Sequence, residues 1–291
     1  MKLFEQEPGK QAHLNGAIPF DKENFQDLKL EERKIAYIDG GNAEISGGAN
    51  YSVQLLRTYA TIWGKERLHA VRKENPLVVQ SQNKEGMQWV STSGSTFDFN
   101  EKGLMQGQHT PTPASVADHL RRIAELKLAL EVVQHAPDII VLDGNLETST
   151  PTEANVMDTL KRACQQHNIL LIGLAKTTSL VTDTGMGLPD ALMQLTQKKS
   201  WVYHPITSGM LSMVKLHERG SAYRMDGPPE AAHALAAHAK DAAFPGYPYP
   251  LIEADQLARI TQNETLRYKL LLENTKQAND AHDVLNIITG W

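Results

Sequence analysis

The chain has 291 residues, a mass of 32.3 kDa, one cysteine and a formal net charge of −5. Its length allows a large core, as one big domain or two modest ones. A lone Cys164 excludes an intramolecular disulfide, no Cys/His cluster has zinc-site spacing, and the acidic balance restricts any nucleic-acid contact to a local basic groove.

Residues 1–33 are polar, are interrupted by Pro8, Gly16 and Pro19, and read as an N-terminal arm or short helices ahead of the core. The first ten residues have no apolar stretch of the signal-peptide kind, and the longest apolar run, Ile169 to Ala175, is too short to span a bilayer. With the single cysteine, these features predict a soluble cytoplasmic protein with no membrane contact. Residues 34–291 are expected to form one domain that includes a C-terminal helical segment.

Ile35 to Ile38 reads as a strand ending in Asp39-Gly40-Gly41, Asn42 to Asn50 as a Gly-rich turn, and Tyr51 to Trp63 as a longer strand. Together they predict an antiparallel hairpin. Lys65 to Gly107 mixes charge with short β-like runs, Met87 to Val90 and Thr96 to Phe99, and leaves room for a third strand. Thr112-Pro113 then caps a helix, and Val116, Leu120, Ile123, Leu126, Leu130 and Val133 follow at helical spacing up to about His135.

Beyond Pro137, the continuous apolar run Ile139 to Leu142 predicts a strand buried on both faces, ending in Asp143-Gly144-Asn145. Thr150-Pro151-Thr152-Glu153 caps a second helix running to about His167, and Ile169 to Leu174 is the next strand. Strand, helix and strand make a βαβ unit with parallel pairing. Tyr203 to Arg224 reads as further strand and turn, and the tail from Pro229 as helix broken at Pro245 to Pro250. The fold expected is α/β: a mixed sheet, antiparallel hairpin plus parallel βαβ part, with helices on its faces.

Two strands thus end in Asp-Gly. A carboxylate held at a sheet edge by a buried strand is a rigid ligand, and two of them can share a divalent cation, although Asp-Gly is equally an ordinary turn dipeptide. Asp39, Glu125 of the long helix and Asp143 make an ordered acidic set. Asp and Glu oxygens suit Mn²⁺ or Mg²⁺ far better than thiolate or imidazole does. Gly185-Met186-Gly187 lacks the ending of a phosphate-binding P-loop, so an ATPase reading has no support.

With Ile35 to Gly41, Glu125-Leu126-Lys127, Ile140 to Leu146, Ile172 to Thr178 and Gly246 to Leu251 in this order, the chain resembles the NurA nuclease family over about residues 34–260. The resemblance implies an RNase H-like fold and manganese-dependent cleavage of DNA, as a 5′–3′ exonuclease and single-strand endonuclease in end processing. It also implies a homodimer and a HerA-like hexameric translocase as partner. Mn²⁺ is the implied cofactor, Mg²⁺ the alternative, with two ions in the site.

Asp39, Glu125 and Asp143 become the expected catalytic metal ligands, with Asp39 the bridging one. Glu131 is the competing acid on the same helix. Lys176, after its apolar strand, is expected to meet the scissile phosphate or orient water, and is otherwise an exposed strand-end lysine. Tyr247 matches the family's tyrosine in its proline-rich turn, or packs there. Eight residues on, the family pattern has a metal-contacting histidine where this chain has Asp255. Asp255 is expected to ligate the metal, or else to cap its helix. That departure sustains a second reading, a catalytically silent nuclease-fold adaptor on a translocase ring. His204 and Arg224 are weaker candidates, Leu270, Leu271 and Leu272 belong to an interface or to the core, and an RNA-cleaving relative lacks a surface suited to A-form RNA.

Overall fold

The computed structural model describes residues 3–7, 10–13, 17–83, 87–92, 96–98, 104 and 111–274. Its main sheet has 11 strands. The chain builds its centre in the expected order: β4 (Ile35–Gly47), β5 (Tyr51–Trp63) and β6 (Arg67–Asn83) form an antiparallel meander. Helix α1 (Pro113–Val132), β9 (Ile139–Asp143), α2 (Pro151–Gln166) and β10 (Leu170–Ala175) follow, with β9 lying parallel to both β4 and β10. The central order is β10-β9-β4-β5-β6, the mixed RNase H-like sheet anticipated from sequence.

The sheet is extended on both sides. Beyond β6 lie β7 (Met87–Ser91) and β8 (Thr96–Asp98); beyond β10 lie β14 (Tyr223–Asp226), β13 (Leu211–Lys215), β12 (Trp201–Tyr203) and β3 (Phe25–Asp27). A separate three-stranded sheet pairs β1 (Leu3–Glu7) with β2 (Lys10–His13) and β11 (Leu180–Thr182). Among the described residues of the first 33, the chain contributes strands to two sheets and a short 3₁₀ turn at Lys22–Asn24, not the short helices that their polarity suggested.

Ile139, Ile140, Val141 and Leu142 are fully buried, as a strand between two helical layers requires. On one face Ala36, Ile38, Ile140 and Leu142 pack against Leu126 of α1 and Met157 and Leu160 of α2. On the other, Ile35, Tyr37, Ile139 and Val141 pack against α4 (Ala231–His238) and α5 (Tyr249–Ala258). Helix α3 (Leu188–Leu195) closes a third cluster with Trp201, Tyr203 and Phe25. The long helix starts where its cap predicted: the Thr112 hydroxyl accepts from Ser115 N–H and Ser115 answers Thr112 N–H. At α2 the Thr150 hydroxyl accepts from Glu153 N–H, while the Glu153 carboxylate takes the N–H of Ser149 instead of the cap's own.

After α5, helix α6 (Gln262–Asn274) is fixed by Arg57, whose guanidinium binds Glu264, Glu74 and the Arg259 carbonyl. Leu270 is half exposed, whereas Leu272 packs against Ile45, Val53 and Val78. No helix among the described residues is long and apolar enough to cross a membrane.

Candidate metal centre

Parallel pairing aligns Ile38 with Leu142, so Asp39 and Asp143 come next on adjacent strands in the same register. Strand alternation gives both carboxylates the face of Tyr37 and Val141, the α5 side. The expectation that each Asp ends its strand holds for Asp143 only. β9 stops there and Gly144 turns away at φ +94°, whereas β4 runs on through Asp39, Gly40 and Gly41 to Gly47. Past the end of β9, β4 therefore borders a notch in the sheet where its pairing with β9 has ended.

Gly40 and Gly41 are extended residues, not turn residues, and their missing side chains explain the choice. A Cβ at Gly40 would lie 2.7 Å from Glu125 Oε1, and one at Gly41 would lie 2.5 Å from the Ala258 carbonyl oxygen. Successive strand residues face opposite sides. One glycine thus admits the Glu125 side chain of α1 from one face, and the next admits the end of α5 from the other. Glu125 and Asp39 approach the notch from opposite sides of β4.

Asp39 is almost buried, and its Oδ1 accepts the N–H of Gly40 at 2.7 Å. Burial, then the charges of Glu125, Asp143 and Asp255, push its pKa up to about 8 despite that bond. Burial is the largest of these causes; the cations Arg121, Arg122, Lys176 and Arg259 sit on the other three carboxylates, and none pairs directly with Asp39 among the described residues. Burial raises the pKa of Glu125 as well, against the pull of Arg121 and Arg122. Arg121 binds Glu125 Oε1 directly and the Gly40 carbonyl at 3.3 Å, and Arg122 Nη1 lies 3.1 Å from Glu125 Oε2.

Asp143 Oδ1 accepts from the Tyr247 hydroxyl at 3.0 Å, and Oδ2 from Lys176 Nζ at 3.0 Å. Lys176 also lies 3.8 Å from Asp255 and 5.2 Å from the Tyr247 ring centroid. Burial works against the Lys176 ammonium, but Asp143, Asp255 and Asp39 outweigh it and raise its pKa. Burial and the Asp143 charge hold the Tyr247 phenol well above its ordinary range, so it is a donor. Asp255 pairs along its own helix with Arg259 at 3.4 Å.

Asp39, Glu125, Asp143, Lys176, Tyr247 and Asp255 are therefore brought to one place. Glu131 points elsewhere, to Lys73 of β6. His204 bonds Ser212 and the Leu211 carbonyl, and Arg224 forks on to Asp226 and reaches Glu147. Arg224 and Asp226 line a cavity of about 950 Å³ beside α2, and none of the four carboxylates does. Among the described residues, no three His, Cys, Asp or Glu side chains stand close enough to ligate one ion as they are oriented. Glu125 and Asp143 are turned on to the chain's own cations. The sequence reading missed Arg121 and Arg122; their signal was spacing, since residues three and four before Glu125 share its helix face.

The fold and this acidic notch define an RNase H-like α/β protein with a carboxylate centre at the end of its parallel strands. The chain belongs to the NurA family: residues 33–260 match the NurA domain. It is similar to a crystal structure of NurA at 10% identity and a TM-score of 0.57, covering 90% of this chain and 93% of that one. A crystal structure of NurA bound to dAMP and manganese is similar at 10% identity and a TM-score of 0.51, covering 90% and 92%. No curated protein sequence matches this one.

Proposed function

We propose that this protein is a metal-dependent deoxyribonuclease that hydrolyses phosphodiester bonds at the notch beside β9. One observation carries the reading: Asp39 and Asp143 follow in register on adjacent parallel strands, with Lys176 and Tyr247 bonded to Asp143 and Glu125 seated against Gly40. The donor set is all hard oxygen, which suits Mn²⁺ or Mg²⁺. A NurA of the same fold binds manganese and dAMP.

Asp39, Glu125, Asp143 and Asp255 would hold two such ions. When bound, they supply an activated water and stabilise the leaving oxygen. The chain's own residues do the positioning. Tyr247 donates to Asp143 Oδ1 and leaves the carboxylate a fixed direction, while Lys176, partly exposed above it, meets a non-bridging phosphate oxygen. Because the Tyr247 pKa is raised, the phenol keeps its proton and orients rather than acting as a base. Family membership supports end-directed cleavage of DNA, a homodimer, and a HerA-like hexameric translocase that feeds strands to the notch. A silent adaptor is the second reading, favoured by the ion pairs that Asp255 makes with Lys176 and Arg259.

The test is cleavage of end-labelled linear single- and double-stranded DNA with Mn²⁺, Mg²⁺ or EDTA, comparing wild type with Asp143→Ala. Manganese-dependent loss of label that disappears in the variant is expected. No cleavage by either protein, alone or with a HerA-like partner, overturns the nuclease reading in favour of the adaptor.

A further inference from the structure

Arg122 is a mostly buried guanidinium that touches three separate elements. Its Nη1 lies 3.1 Å from Glu125 Oε2 and 3.4 Å from the Asp143 carbonyl, its Nη2 donates to the Asn145 carbonyl at 2.7 Å, and its Nε lies 3.6 Å from Glu153 Oε1 of α2. Asp143 and Asn145 flank Gly144, whose φ of +94° makes the turn that ends β9. The fork therefore fixes both sides of this turn against the side chain of Glu125. Arg121, by contrast, is more exposed and, among the described residues, bonds Glu125 and the Gly40 carbonyl.

We infer that Arg122 is the positioning residue of the centre: it sets the distance and angle between the Glu125 carboxylate on α1 and the Asp143 carboxylate on β9. The two carboxylates come from opposite faces of the sheet and share no backbone pairing. Arg122 is the described side chain that contacts both residues, one through its side chain and one through its carbonyl. A planar group with five donors spread over three nitrogens can bridge two carboxylates and two carbonyls at once; an ammonium has three donors on a single nitrogen and cannot span all four. Glu153, nearly fully buried, holds the far side of the guanidinium and keeps it from following solvent.

This inference rests on the cation-site reading, so its test measures cation binding directly. Mn²⁺ is titrated calorimetrically into the full chain as wild type, Arg122→Lys and Arg122→Gly, with melting curves beside each. Loss of a residue that orients ligands costs about 10- to 100-fold in metal affinity, and that weakening is expected in both variants. Millimolar guanidinium is expected to restore Arg122→Gly, and sodium chloride at equal ionic strength is not. If Arg122→Gly does not fold, Arg122→Lys carries the test. Folded variants that bind Mn²⁺ like wild type, or weak binding that guanidinium leaves unchanged, overturn the inference and leave Arg122 a stabilising role. A wild type that binds no Mn²⁺ removes the cation-site reading and the inference with it.

Discussion

Gly40→Ala is the sharpest perturbation of the centre because it adds one methyl group and removes nothing. The new Cβ would lie 2.7 Å from Glu125 Oε1 and 2.8 Å from its Cγ, where an ordinary contact begins at 3.4 Å. The carboxylate must withdraw by about 0.7 Å, and it has little freedom to do so, since it is buried and tied to Arg121 and Arg122. Overpacking of this kind costs about 1 to 3 kcal/mol of stability, and misplacing a catalytic ligand by about 1 Å costs on the order of 100-fold in rate. The assay pairs urea unfolding with Mn²⁺ titration and initial cleavage rates. Gly64→Ala is the control, because the nearest atom to its new methyl is Leu68 Cδ1 at 3.7 Å. A Gly40→Ala protein that binds Mn²⁺ and cleaves DNA like wild type would refute the close-approach argument.

Tyr247→Phe removes the donor 3.0 Å from Asp143 Oδ1; unfolding should show a loss of about 1 to 2 kcal/mol, and cleavage should slow, whereas an unchanged rate would leave Tyr247 a packing residue. Glu125→Gln should abolish Mn²⁺-dependent cleavage, while Glu131→Gln, which breaks only the exposed pair with Lys73, should leave cleavage intact and stability within about 0.5 kcal/mol of wild type. Glu264 has its pKa lowered to about 2, first by the Arg57 hydrogen bond and then by Thr261 N–H. A depressed folded-state pKa means stability that is present above the ordinary carboxyl value and lost as pH falls. Glu264→Gln should therefore be less stable than wild type at neutral pH, with the two unfolding curves converging between about pH 4.5 and pH 2.

The parts of the fold most legible in the sequence were those with one-sided or fully buried patterning. Thr112-Pro113 and the stripe from Val116 to Val133 marked α1, and the unbroken run Ile139 to Leu142 marked β9 with Asp143 at its end. Gly40-Gly41 misled, because glycine is depleted in strands and nothing local distinguishes a turn from a strand approached closely on both faces. β6 was hidden for a different reason. Residues 67–70, 72, 74 and 75 are exposed, so Arg67–Asn83 shows no strict alternation, and pairing with β5 rather than burial holds it extended. β1 and β2 are short, largely polar strands in the small sheet they share with β11, too short for a hydrophobic period to show. In the centre, the candidate acids were singled out by their order along the chain together with the family resemblance. Their tie to Arg121, Arg122, Lys176 and Tyr247 depends on contacts between elements up to 104 residues apart.

Everything proposed for the notch depends on Asp39 and Asp143, with Glu125 and Asp255 around them, holding divalent cations. A crystal of the full chain soaked in Mn²⁺, with diffraction recorded at the manganese edge, tests it most directly. Anomalous peaks in the notch at the end of β9, within bonding distance of the Asp39 and Asp143 carboxylates and absent from Asp143→Ala, are the predicted result. An empty notch at saturating Mn²⁺, or a single peak bound elsewhere in a protein that still cleaves DNA, would contradict the account.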